Sequence, residues 1–308
     1  MLPGRQICGI LDCLYPWEEI MARPHIEFIQ SQAVPWRDDL WSGRFDGAHV
    51  KILSEDDETG AASTMVRYPA GWSRPSAEHL STDEELLVLD GDLEINGVEY
   101  GELCYAHLPA GHTRRSASSR NGAVALTFVS GVPETSAGEG PDDDAERLVE
   151  KVDVLGTKLD TSLRELGVDV DEGDGMLDGF RKFSRIICRE DPHTQDQTWV
   201  LSAPPLWRND VIEIHPVVEE MYLITGDLTG DTGLMKPGAY FWRPPGMPHG
   251  PFGSKTGNLL FFRTQGGPLS TDFQPGEHLF SWDAKLNPVL PPELAEYSPK
   301  VESEAAYY

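Results

Sequence analysis

The stretch IEIHPVVEEMYLITGDL, residues 212–228, sets one histidine and three glutamates within eight positions, then continues as an apolar run that closes at Gly226. A short run of Val, Met, Tyr, Leu and Ile ending in Gly-Asp reads as a buried β-strand. Side chains two apart share a face of a strand, so Glu213 and His215 point the same way. Glu219, four beyond His215, can rejoin that face. Downstream, GAYFWRPPGMPHG (residues 238–250) places Gly238, Pro244 and Gly246 where a turn would present His249 from a neighbouring strand. Imidazole nitrogens with carboxylate oxygens suit Fe(II), Mn(II), Ni(II), Cu(II) or Zn(II), and the absence of thiolates argues against a closed structural zinc site.

The pattern recurs in the chain. Advancing the first half by 135 positions lays residues 54–133 on 189–268 without a gap. Trp72 falls on Trp207, Glu78 on Glu213, and Glu84-Glu85 on Glu219-Glu220. Gly91-Asp92-Leu93 falls on Gly226-Asp227-Leu228, Tyr105 on Tyr240, Pro109 on Pro244, and Gly111 on Gly246. Coincidence of Gly, Pro and Trp at turns argues for a duplicated unit. Each copy carries short strand-like runs closed by Gly, Pro or Asp, such as EELLVLDGDLEIN and VALTFVSG in the first and NLLFFRTQGG in the second. The predicted class is therefore all-β, with two tandem sandwich- or barrel-like domains. Helix is sparse: residues 143–167 show some helical periodicity, and PPELAEY (residues 291–297) can make a turn. The Pro-, Gly- and acid-rich PETSAGEGPDDDAER reads as a surface linker. These signals divide the chain into an extension (1–20), a first domain (21–133), a linker (134–148), a second domain (149–285) and a tail (286–308).

Of 308 residues, 51 are acidic and 25 basic, a formal charge of −26 that repels phosphate backbones and anionic membranes. Nucleic acid is thus an unexpected partner. Cys8, Cys13, Cys104 and Cys188 are scattered without a zinc spacing, which fits a reducing compartment. No segment has the length or charge pattern of a membrane span or leader, so the expected location is the cytoplasm and no membrane partner is expected.

The two segments around His215 and His249 resemble the paired motifs of the cupin superfamily. The first motif is His-x-His, three or four residues, Glu, six residues, Gly; His215, Glu219 and Gly226 keep that spacing, and Glu213 replaces the leading histidine. In the second, Gly238, Pro244, Gly246 and His249 match and Gly253 replaces an asparagine. With the repeat, the chain is similar to bicupins of bacteria and to the cupin domains of anti-sigma regulators. The resemblance implies two double-stranded β-helix barrels, jelly-roll-like in form, and one divalent metal on His215, Glu219 and His249. Glu213 is then either a fourth ligand or a general base in catalysis.

The first unit departs from the pattern. His79, Glu84 and Gly91 fit the longer form of the motif, but Ala77 stands at the leading histidine, Leu80 falls against His215 and Arg114 against His249. His79, Glu84 and His112 are the one set there that could hold a second metal, and an empty, degenerate barrel is the preferred reading. Singly, a strand glutamate belongs to a solvated face and a lone histidine to surface or core; only the combination in the second unit carries chemistry. Tyr222, Tyr240, Trp242, Arg243, Phe262 and Arg263 lie on strands near it, and alternation turns about half inward to line a substrate pocket. The resemblance favours a non-haem Fe(II) dioxygenase acting on a small chelating diketone, phenol or thiol. A metal-dependent lyase, decarboxylase or isomerase, or a non-catalytic regulatory cupin, are the alternatives. Exposed sheet edges and outer faces of such barrels commonly pair, and a homodimer is expected.

Overall fold

The structure, a computed structural model, describes residues 23–41, 43–141, 144–157, 183–274 and 279–298. Two barrels are present, each a six-stranded antiparallel sheet facing a four-stranded one. The first large sheet runs in the order Val149–Asp153, Cys104–Leu108, Glu84–Gly91, Ala123–Val129, Ala62–Tyr68 and His49–Glu55. The second runs Ile26–Gln30, Ala239–Arg243, Val218–Gly226, Asn258–Gln265, Gln197–Ala203 and Ser184–Glu190. Advancing by 135 carries His49–Glu55 onto Ser184–Glu190 and Ala62–Tyr68 onto Gln197–Ala203. The chain therefore repeats in three dimensions with the sequence register. The motif glycines recur for a steric reason: Gly226 has φ +86°, and a Cβ there would lie 1.9 Å from the Gly257 carbonyl oxygen.

The outermost strands break the sequence order. Ile26–Gln30 precedes the first unit yet pairs with Ala239–Arg243 of the second barrel, and Val149–Asp153 precedes the second unit yet pairs with Cys104–Leu108 of the first. Sheet membership thus crosses the domain limits drawn at residues 133 and 149. The helical periodicity over 143–167 is overruled where it is described, because Val149 and Val152 gain burial by pairing at a sheet edge; residues 158–167 lie outside the described residues, as does the extension 1–20. The acidic linker contributes a short strand, Thr135–Ala137, against Glu78–Leu80. PPELAEY forms the expected turn as the helix Pro292–Ala295. No helix among the described residues is long and apolar enough to cross a membrane.

Each barrel has its own apolar interior, around Leu86, Val88 and Tyr68 in the first and Met221, Leu223 and Phe241 in the second. A third cluster lies between them and draws on both, including Met65, Leu126, Phe128, Tyr222, Trp242 and Phe261. Within it sits a polar network with twofold character. Glu85 accepts from Tyr105 of its own barrel at 2.7 Å and from Thr198 of the other at 2.5 Å. Glu220 accepts from Tyr240 of its own barrel at 2.5 Å and from Ser63 of the other. Arg263 breaks the symmetry. It donates to Glu85 at 2.7 Å and to Glu220 at 2.5 Å, and lies 4.1 Å over Phe128, its counterpart in the repeat.

Removing one member of a buried ion cluster leaves its partners charged and unpaired. Arg263→Leu is therefore expected to cost about 3 kcal/mol by chemical denaturation; a loss below about 0.5 kcal/mol, typical of surface sites, would sink this account. Burial opposes the charge on Glu85, but Arg263, Arg189 and His107 hold its carboxyl down at about 2. A depressed folded pKa gives stability that is present above the ordinary value of 4.5 and lost as pH falls from there toward 2. In Arg263→Leu that acid dependence should flatten.

Candidate metal centre

In the second barrel the strand Ile212–Ile214 carries Glu213, and His215 follows directly. Glu213 and His249 exchange both backbone hydrogen bonds, at 2.9 and 3.1 Å, which fixes the two segments side by side. Gly246, at φ +77°, donates its N–H to the His215 carbonyl at 2.7 Å and so sets the turn that carries His249. The outcome is one cluster: donor atoms of Glu213, His215 and His249 all lie within 4.8 Å of one another, and it is the only such group found among the described residues.

Both imidazoles are oriented from behind. His215 Nδ1 lies 2.9 Å from the Ser270 carbonyl oxygen and His249 Nδ1 lies 2.9 Å from that of Met247. A carbonyl can only accept, so each Nδ1 carries a proton, and in the neutral ring Nε2 is then the atom that offers a lone pair. Both Nε2 atoms are buried without a hydrogen-bond partner. Burial, with the Arg243 charge, pushes His249 down to about 4, so it is neutral at pH 7. Burial, with the Glu219 charge, pushes Glu213 up to about 7, although Asn209 donates to it at 2.9 Å. Two orphaned nitrogens and a carboxylate that burial leaves short of charge compensation fit a divalent cation.

Glu219 stands beside this trio, 3.7 Å from His215 Nε2 and 3.5 Å from His249 Nε2. Its Oε2 also accepts from Arg243 at 2.6 Å. Arg243 in turn donates through Nε and Nη2 to Glu27, at 2.5 Å each. Burial opposes both carboxylate charges, but histidine and arginine neighbours keep Glu219 below its ordinary range and Arg243 leads in holding Glu27 at about 2. Glu27 was not legible from sequence because it arrives on the exchanged strand, far outside either motif.

Of the pocket candidates, Arg243 and Phe262 face the barrel interior; Arg243 lies 3.5 Å over Phe241. Tyr222, Tyr240, Trp242 and Arg263 belong to the opposite face, packed between the barrels. This corrects their assignment to a substrate pocket. Alternation separates the two faces of a strand, but here both are buried, and sequence offers no sign of which one faces the site. Phe252, 5.9 Å from the His249 ring, is a neighbour that sequence reading passed over.

The first barrel repeats the frame without the donors. Glu78 and Arg114 exchange the same pair of backbone bonds, at 3.0 and 2.8 Å. Glu84 is held by Arg114 at 2.6 and 2.9 Å, and His79 Nδ1 lies 3.4 Å from the Gly138 carbonyl oxygen. His79, Glu84 and His112 do not form a donor cluster. A guanidinium compensates Glu84 where a cation would otherwise sit.

Residues 26–132 match the family described as ChrR Cupin-like domain. A proposed dioxygenase from Nostoc punctiforme superposes with a TM-score of 0.66 at 17% identity, over 79% of this chain and 87% of that one. Residues 26–132 are thus a cupin-like domain, and the second barrel repeats its sheet arrangement. Hazelnut vicilin (Corylus avellana) superposes with a TM-score of 0.50 at 10% identity, over 80% of this chain and 87% of vicilin. Bacillus subtilis oxalate decarboxylase gives 0.49 at 11%, over 80% and 78%. No curated protein matches the sequence. At these identities the likeness concerns fold, and the chemistry of this chain rests on its own residues.

Proposed function

We propose that the second barrel binds one divalent metal, Fe(II) by preference, through Glu213, His215 and His249 with Glu219 alongside, and that it is a dioxygenase for a small chelating organic substrate. The observation that carries this reading is the pair of buried imidazoles, each fixed through Nδ1, each with an Nε2 that lacks a hydrogen-bond partner, and both gathered with Glu213 in one donor cluster. When bound, such a metal supplies Lewis acidity and, as iron, electrons for O₂. The protein supplies the rest. Arg243, pinned by Glu27, orients Glu219; Phe241 and Phe252 present apolar surface beside the site. In the alternative role, off the metal, Glu213 takes a proton from an enol or phenol, a task suited by the rise of its carboxyl on burial.

Metal analysis of untagged protein, combined with O₂ uptake on a panel of β-diketones, catechols and small thiols, tests the proposal. Uptake that depends on bound metal supports it; stoichiometric iron without turnover of any compound favours a binding module instead. Glu213→Gln should weaken metal binding roughly 10-fold or more and stop turnover, because the amide is a poor ligand and cannot accept a proton. Full metal and full activity in that variant would remove Glu213 from the site.

A further inference from the structure

The end of the first barrel that corresponds to the metal centre is crowded with unmatched donors. Arg44 enters it from the turn segment 43–47 and is completely buried, with its guanidinium 5.2 Å from the ring centre of Trp72, 5.5 Å from Phe45 and 5.8 Å from Tyr68. Its Nε, Nη1 and Nη2 all lack acceptors, and the Tyr68 hydroxyl lacks a partner. The nearest carboxylate oxygen, Glu84 Oε1, is 3.6 Å from Nη2, beyond hydrogen-bond reach. Glu84 Oε2 is taken by Arg114, and Glu78 Oε2 is taken by Arg74 at 3.0 Å, leaving Glu84 Oε1 and Glu78 Oε1 without donors.

Three guanidinium groups thus meet Glu84 and Glu78, and Asp46, 3.7 Å from Arg74 Nη1, balances their charge from the rim; what Arg44 lacks is an acceptor within hydrogen-bond reach. A buried cation whose hydrogen-bonding fork is idle is costly unless something accepts from it. An anion with two oxygens in one plane matches an arginine fork, and the surrounding rings suit a small organic body. We propose that the first barrel binds a small monocarboxylate anion on Arg44, at the position where the second barrel gathers its metal donors. Arg44 is carried on a turn and not on a sheet strand, so its side chain can move aside without unpairing a ladder, which gives the ligand a route in.

Sodium acetate, titrated at constant ionic strength into the full chain, is expected to raise the thermal midpoint in a saturable way and to perturb Trp72 fluorescence. Arg44→Gln should abolish the saturable rise. Arg44→Lys, which keeps the charge without the fork, should weaken it at least about 10-fold. The His249→Ala protein should respond as wild type does, because this site is independent of the metal reading. Crystals grown with sodium bromide provide a test that needs no variant: an anomalous peak beside the Arg44 guanidinium, displaced by acetate, supports the assignment. No saturable rise with no peak would overturn it, as would an acetate response undiminished in both Arg44 variants. Bromide persisting under saturating acetate would overturn the carboxylate assignment.

Discussion

His249→Ala is expected to yield a folded protein with almost no bound metal. The His249 side chain donates only to the Met247 carbonyl on its own turn, and its Nε2 is a buried atom without a partner, so truncation removes little that stabilises the fold. For metal the balance is different. Loss of an outer partner of a ligand costs roughly 10–100-fold in affinity, and loss of a ligand itself should cost more. His215→Ala should behave alike, whereas His79→Ala should change nothing, because His79 lies in the other barrel near the Gly138 carbonyl. Metal content measured on protein purified without chelator or a histidine-rich tag decides the matter. Equal metal in wild type and a folded His249→Ala protein would show that the cluster is not the binding site.

A chain that starts at Ser31 is expected to lose its second barrel, although the deletion lies before the first. The strand Ile26–Gln30 buries Ile26, Phe28 and Ile29, at about 1.5–3 kcal/mol for each apolar side chain. It also carries Glu27, without which Arg243 is a buried charge with only Glu219 to meet it, a further loss of several kcal/mol. Together these approach the entire stability of an ordinary domain. A control chain that starts at Met21 isolates the effect of residues 21–30. Proteolysis with mass spectrometry should find cuts in residues 184–274 of the shorter chain and protection in residues 49–129. Equal resistance of the two halves would show that the exchanged strand is dispensable. The same truncation should also abolish metal binding, through Arg243 and Glu219.

Local pattern alone carried the repeat, the strand class and the donor residues, because each is written within a single motif. Glu213 and His215 share a face by strand parity, and the Gly238–His249 turn is spelled by Gly and Pro whose backbone conformations it needs. The same register places Leu80 where His215 would stand and Arg114 where His249 would, so the first barrel's lack of donors was readable from two substitutions. Three features needed the tertiary structure. Strand pairing is non-local, and nothing in HIEFI or LVEKVD states which barrel's edge those segments will complete. Tyr222, Tyr240, Trp242 and Arg263 alternate correctly, but with apolar and polar burial on both faces of the sheet, periodicity cannot separate barrel interior from inter-barrel core. Glu27 and Arg44 reach their sites from outside the aligned repeat or from a turn. A side chain's position in sequence limits its neighbours only within the element that carries it; across elements, packing decides which charges meet.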